Sequence, residues 1–163
     1  MSQFERPNIA KMQGYTSGEQ PQDGRSIKLN TNENPYPPSP HVAAALKAFA
    51  SDQLRVYPQP DARALRQAIA DHHEISVDSV VITHAGDEAL RLAVTTFVAP
   101  GGVVASTEPT YSLYPVLAQI QDARMFTLDL DDDWSLPNDF ASKVSTAGAQ
   151  LTCVVNPHAP SGY

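Results

Sequence analysis

Residues 79–107 read SVVITHAGDEALRLAVTTFVAPGGVVAST. Val80, Val81 and Ile82 form a short β-branched run closed by turn residues, which predicts a buried strand over 79–83. A helix follows over 86–98, because Ala89, Leu90, Ala93, Val94 and Phe97 recur at the spacing of one helix face. APGG then turns the chain into a second apolar run, predicting a strand over 102–107. Strand, helix and strand within about 30 residues make a βαβ unit, and repetition of that unit builds a mainly parallel sheet.

Working outward, the alternation continues. A helix is predicted over 112–121 with Leu113, Val116, Leu117 and Ile120 inward, then a strand over 124–128. A helix over 137–146 opens on Pro137, whose missing N–H costs nothing in a first turn, and a last strand covers 151–155. Upstream, Val42, Ala45, Leu46 and Phe49 mark another helix face. YPQPD (57–61) breaks it, and Asp61 is placed to cap a further helix carrying Leu65 and Ile69. Residues 1–40 are polar and irregular, ending in NTNENPYPPSP with Pro35, Pro37, Pro38 and Pro40 crowded together. That composition suits an extended arm ordered by docking on something else, with a PxxP ligand for an SH3 domain as the rival reading. The expected organisation is an N-terminal arm over 1–40 followed by an α/β domain over 41–163.

The totals fit one soluble domain. The chain has 163 residues, 42% apolar and 18% charged, enough to bury a core. A net charge of −7 with 11 scattered Lys and Arg argues against a nucleic-acid or anionic-membrane partner. The sole cysteine, Cys153, lies in an apolar run, which excludes an intramolecular disulfide and fits a small core residue in a reducing compartment. The start, MSQFERPNIAK, has no apolar leader region, and nothing approaches the roughly 18–20 apolar residues of a membrane span. The expectation is a cytoplasmic protein without nucleic-acid or membrane partners.

Candidate chemistry gathers after the strands. His84, Ala85 and Gly86 lead from the strand over 79–83 into a helix whose first turn holds Asp87 and Glu88. Small residues admit a ligand to the backbone, and free N–H groups at a helix start bind phosphate. The competing view is an ordinary turn whose acidic residues complement the helix dipole. Tyr111 and Tyr114, after the strand ending at Thr107, offer aromatic faces to a flat heterocycle or simply pack. Asn156, after the last strand, presents both donor and acceptor and suits a phenolic oxygen. A phosphate cradle, an aromatic plate and a polar amide on one sheet edge fit a flat, phosphorylated cofactor. Three decoys fall away. DLDDD (129–133) lacks the glycine and the terminal glutamate of a calcium loop, His72 and His73 sit at a helix end, and Lys143 lies on the outer stretch of an amphipathic helix.

These residues resemble a known family. GYTSGEQP (14–21), IKLNTNENPYPPSP (27–40), VYPQPDARALRQAIA (56–70), GDEAL (86–90), EPTYSLY (108–114) and NPHAPSG (156–162) occur in the order found in histidinol-phosphate aminotransferases. Those are fold-type-I, pyridoxal-phosphate-dependent enzymes. The resemblance implies an incomplete aspartate aminotransferase-like large domain, three layers αβα around a mainly parallel sheet, preceded by the arm. By position it assigns Ala85, Gly86 and Asp87 to the cofactor phosphate, Tyr111 to stacking on the pyridine ring and Asn156 to its phenolic oxygen. Tyr57 matches a tyrosine reaching a dimer partner's cofactor phosphate. Tyr15 and Asn34 match positions near the substrate, Tyr15 from the neighbouring chain. The implied cofactor is pyridoxal 5′-phosphate, the implied assembly a homodimer, and the implied substrates a small-molecule amino donor and a 2-oxo acid, histidinol phosphate and 2-oxoglutarate first.

The pattern departs from the family in places. Relatives commonly read glycine-asparagine-glycine-serine before Asp-Glu, where this chain has Thr83-His84-Ala85-Gly86, so a phosphate-holding hydroxyl is missing at Gly86. NPHAPSG stands for the commoner NPNNPTG. The family's Schiff-base lysine, pyridine-pairing aspartate and substrate-gripping arginine fall after Tyr163, and none of Lys11, Lys28, Lys47 or Lys143 has the right context. The chain is therefore expected to be an N-terminal half, inactive by itself. Alternatives are a fragment of an aromatic amino-acid aminotransferase or a related decarboxylase, or a non-catalytic product that binds a partner or the cofactor.

Overall fold

The computed structural model describes residues 4–14, 18, 19, 21 and 24–163. In chain order, helices α1 (Pro7–Ala10), α2 (Pro40–Ala48), α3 (Arg63–His73) and α4 (Ala85–Phe97) precede strand β1 (Val103–Glu108). Helix α5 (Leu113–Ile120), strand β2 (Arg124–Asp129), helix α6 (Phe140–Thr146) and strand β3 (Leu151–Cys153) follow. The chain divides into two compact units, Met1–Thr16 with Thr83–Tyr163, and Ser17–Ile82.

The first unit is built on a parallel sheet of order β2-β1-β3. β1 pairs with β2 from Val103↔Arg124 to Glu108↔Asp129, and with β3 from Val104↔Leu151 to Ser106↔Cys153. As the middle strand it is buried from Val103 to Thr107. Successive side chains of a strand point to opposite faces. Val104 accordingly packs with Val94 and Val98, and with Leu113, Leu117 and Ala118 of α5, while Ala105 packs with Phe140 and Val144 of α6. Helices on both faces give the three-layer αβα arrangement that the resemblance implied, around the parallel sheet that the alternation predicted. The APGG turn needs both glycines: Gly101 has φ +80°, and a Cβ on Gly102 would lie 2.8 Å from the Ala99 carbonyl oxygen.

Within the region read as an irregular arm, Pro7–Ala10 forms one helical turn with Pro at its start, where no N–H is missed. Arg6 donates to the Ile120 carbonyl at 2.9 Å and Asn8 to the Gln119 carbonyl at 2.8 Å, tying this turn to the end of α5. On α4 the buried stripe is narrower than predicted. Leu90, Ala93, Val94 and Val98 face the core, whereas Ala89 and Phe97 are exposed. Helix α6 begins at Phe140 with Asp139 at its N-cap; Pro137 instead accepts the Phe140 N–H through its carbonyl in a preceding turn.

In the Ser17–Ile82 unit the predicted strand over 79–83 is not formed. Val77–Ser79 is a 3₁₀ turn, and the Arg66 guanidinium occupies the Val80 and Val77 carbonyls at 2.9 and 2.8 Å, acceptors that a ladder would need. Asp61 does not cap α3. The N-cap is Ala62 in the left-handed region (φ 46°), and the Asp61 carboxylate goes to Arg66 at 3.5 Å. The α2 face forms as a helix face but is not covered: Val42, Leu46 and Phe49 are exposed, as is Leu65 on α3, while Ile69 is half-buried. Among the described residues no helix is long and apolar enough to cross a membrane.

Leu117 links α5 to the sheet and is buried among Val94, Val98 and Val104. Leu117→Ala is expected to cost about 3 kcal/mol, the range of leucine deletions that leave a core cavity. Urea unfolding followed by far-UV circular dichroism measures it. A loss well under 1 kcal/mol would show that the α5 contact does not hold the layer.

Candidate functional site

Because the sheet is parallel, the segments leaving β1, β2 and β3 all emerge at one edge, the place where open α/β sheets bind ligands. The first turn of α4 belongs to the same unit. His84 is its N-cap, with no side-chain cap on the first turn, so the helical amides after Ala85 in that turn lack intrahelical partners. Ala85 adopts φ +65° and is fixed from two sides: its N–H donates to the Thr83 carbonyl at 3.1 Å, and Thr83 Oγ1 donates to the Ala85 carbonyl at 2.8 Å. Glu88 reaches back to accept the His84 backbone N–H at 2.6 Å and also lies 3.2 Å from His84 Nδ1. These His84 hydrogen bonds, the backbone one first, hold the Glu88 carboxyl below its ordinary range. A Cβ on Gly86 would meet nothing within 4 Å, so the backbone there is open to a ligand.

Tyr111 is half-buried in the loop after β1 and its hydroxyl donates to Asp87 Oδ1 at 3.2 Å. That bond brings the predicted plate and cradle together. Tyr114 meets Tyr111 edge to face, with ring centroids 5.7 Å apart at 88°. Burial, with Cys153 nearby, raises the Tyr114 phenol above its usual range, so it stays protonated. Burial likewise pushes the Cys153 thiol up, which fits a packing residue better than a nucleophile. Asn156 is exposed just past β3. It borders a cleft of about 270 Å³ with Trp134, Leu136, Val155 and His158.

Two residues escaped the sequence reading. Ser106, fully buried in β1, donates to the Cys153 carbonyl at 2.9 Å and lies 3.0 Å from Thr110 Oγ1. His158 is buried in the last loop, 3.0 Å from the Pro109 carbonyl oxygen and 2.7 Å from Ser161 Oγ. The only signal for His158 was its place in NPHAPSG, where relatives carry asparagine. Tyr57 and Asn34 lie in the Ser17–Ile82 unit. There Tyr57 is 88% exposed beside the similarly exposed Leu54 and Val56, and Asn34 Oδ1 accepts the Tyr36 N–H at 2.9 Å in a turn. Tyr15 lies outside the described residues.

A parallel sheet clad in helices, with a helix-start turn, an aromatic ring and a carboxamide in the segments beyond its strands, defines an α/β domain with a candidate ligand site. Comparison sharpens that class. Residues 25–163 match the model for the aminotransferase class I and II family, and the chain belongs to it. It is similar to histidinol-phosphate aminotransferases of Chromohalobacter salexigens (39% identical, covering 100% of this chain and 45% of that protein) and Clostridium botulinum strain Okra (43% identical, covering 95% and 43%). The chain thus spans less than half the length of these curated relatives. In fold it superposes on the histidinol-phosphate aminotransferase of Sinorhizobium meliloti solved in complex with pyridoxal-5′-phosphate, with TM-score 0.83 over 98% of this chain and 44% of that one at 24% identity.

Two outcomes test the cradle. Ala85→Gly is expected to stabilise the unit by about 1 kcal/mol, since glycine accepts a positive φ without the penalty alanine carries; an unchanged or lower melting midpoint would mean that Ala85 is not strained. A carboxyl depressed in the folded state stabilises above its ordinary pKa, and that contribution disappears as pH falls through the lowered value. Glu88→Gln is therefore expected to lower the melting midpoint at pH 7, with the gap to the native chain closing below about pH 4. A gap that persists into acid would refute it.

Proposed function

We propose that this chain supplies the cofactor-phosphate and ring-binding part of an aminotransferase acting on histidinol phosphate and a 2-oxo acid, with pyridoxal 5′-phosphate as cofactor. The observation that carries the reading is the Tyr111–Asp87 hydrogen bond, which holds an aromatic ring beside an amide-lined turn on one unit. The residues fit the group. First-turn amides of α4 suit a phosphate dianion, the space at Gly86 admits it, the Tyr111 ring suits a flat heterocycle, and Asn156 suits a phenolic oxygen.

Bound, such a cofactor withdraws electrons from a substrate carbon so that a proton can leave. What this chain's residues contribute is binding and orientation. Ala85, Gly86 and Asp87 neutralise phosphate charge through backbone dipoles, Tyr111 restricts the plane of the ring, and Asn156 fixes its rotation. In this family proton transfer uses a lysine, and among the described residues no lysine stands in the turn at the start of α4. In this unit the lysines are Lys11, in the turn after α1, and Lys143, paired with Asp139 at 2.8 Å on α6. The chain alone is accordingly expected to bind without turning over. Residues 1–40 serve as the dimer arm, and Tyr57 and Asn34 act with Tyr15 at the completed site of a homodimer. The exposed apolar run Leu54, Val56 and Tyr57 supports that assignment.

Amide signals of Ala85–Asp87 should shift on titration with pyridoxal 5′-phosphate and, more weakly, with inorganic phosphate. Gly86→Ser adds a hydroxyl donor where nothing obstructs it and should tighten phosphate binding about tenfold, the worth of one hydrogen bond to a charged group. Unmoved amides would overturn the cradle. Deleting residues 1–35 should weaken self-association in sedimentation velocity; an unchanged profile would overturn the arm.

A further inference from the structure

His158 is used by nothing above, yet it is 6% exposed in a loop whose neighbours are mostly exposed. Its ring nitrogens are both occupied. A carbonyl oxygen can only accept, so Nε2 carries the hydrogen that it donates to Pro109, at 3.0 Å. Nδ1 shares a hydrogen bond with the Ser161 hydroxyl at 2.7 Å. Ser161 Oγ in turn accepts the Tyr163 N–H at 3.2 Å. The His158 backbone donates to the Tyr163 carbonyl at 2.8 Å and accepts the Gly162 N–H at 2.6 Å, closing residues 158–163 into a tight turn. Trp134, from the loop after β2, lies against the ring at 5.7 Å between centroids and tilted 31°. One imidazole therefore ties together the loops that leave all three strands.

We propose that His158 is a positioning residue for the cofactor site: it latches the Asn156 loop onto the Tyr111 loop and so sets the carboxamide relative to the aromatic ring. This rests on the cofactor reading above, but the latch itself has an independent readout. Asn156 is two residues before His158, and Pro109 two before Tyr111, so the single Nε2–H···O bond spans the roots of both groups. Ser106 makes a lower tie between the same segments through the Cys153 carbonyl and Thr110. Two ties separated along the strand ends resist rotation where one would act as a hinge.

The test uses the whole 163-residue chain with His158→Leu, His158→Gln and Ser161→Ala. Glutamine restores one donor and one acceptor; leucine fills space without either. Ser161 is exposed, so its truncation removes the Nδ1 partner without emptying the core. Amide hydrogen exchange over 156–163 is expected to accelerate about tenfold in His158→Leu and several-fold in Ser161→Ala, the scale of one lost hydrogen bond. His158→Gln should return near the native rate, and protection in α4 and α5 should not change. Dissociation constants for pyridoxal 5′-phosphate and inorganic phosphate are measured alongside. A latch predicts a weaker cofactor affinity with phosphate affinity unchanged, because the α4 amides do not depend on it. Equal exchange in leucine and glutamine variants, or parallel loss of both ligands, would overturn the proposal. If the native chain bound neither ligand, the cofactor reading would fail and the exchange rates alone would decide whether the latch exists.

Discussion

Strand β1 carries a parallel ladder on each side, and the rest of the unit follows from that pairing. A middle strand must satisfy its backbone laterally and bury both of its faces, so it tolerates side chains that are apolar or locally hydrogen-bonded. Val103, Val104 and Ala105 meet the first condition, and Ser106 meets the second through the Cys153 carbonyl and Thr110. Among the described residues no buried side-chain polar atom lacks a partner. An antiparallel neighbour would have delivered its outgoing loop to the opposite end of the sheet. Parallel pairing instead brings Tyr111 and Asn156 to one edge without any contact between them being required by the fold.

Arrival at one edge does not fix position. β3 contributes only Leu151–Cys153 to the ladder, too few pairs to hold the residues beyond it rigidly. The loop after β3 holds two prolines and is mostly exposed, with His158 its one buried residue, so its backbone entropy must be opposed by side-chain ties. The precision demanded of a group that orients a bound ring is a fraction of an ångström. A buried imidazole with both nitrogens committed supplies that rigidity better than solvent-exposed hydrogen bonds, which exchange with water at little cost.

The readable parts of the sequence were those whose partners lie in the same unit. β1, β2 and helices α4 and α5 appeared where periodicity and turn residues placed them, because Val104, Leu113 and Leu117 find each other within that unit, while the strand predicted over 151–155 forms only Leu151–Cys153. The run over 79–83 has equal strand character, but strand character is only a preference for a pleated, half-buried setting. Arg66 takes the Val80 carbonyl of that run and the Val77 carbonyl just before it, a tertiary choice that the run itself does not reveal. The α2 stripe was read correctly as a helix face, and its exposure in the structure shows that periodicity identifies a face without saying what covers it. Asp61 looked like a cap until Ala62 turned left-handed, and an alanine gives no sign of that in sequence. Of the candidate site, Tyr111 and Asn156 were singled out from strand-end positions that the structure forms, whereas Ala85 to Asp87 were singled out behind a strand that it does not form. His158 was not, because a histidine in a Pro/Gly loop carries no mark of burial.

The phosphate turn illustrates how a departure from family pattern is absorbed. The resemblance places glycine at position 85 and a hydroxyl at 86; this chain has Ala85 and Gly86. The positive φ falls on Ala85, not on the glycine beside it. A left-handed alanine costs about 1–2 kcal/mol, so the conformation must be imposed by its surroundings. Thr83 clasps the Ala85 carbonyl from one side and Glu88 holds the His84 N–H from the other. Together with the Ala85–Thr83 backbone bond these offset the strain. The turn is thus shaped by flanking side chains instead of by glycine's permissiveness, which leaves Gly86 free to serve purely as open space. Under the proposed reading, a cradle enforced in this way would lose less entropy on closing around an anion than a glycine-rich loop, offsetting in part the hydroxyl it lacks.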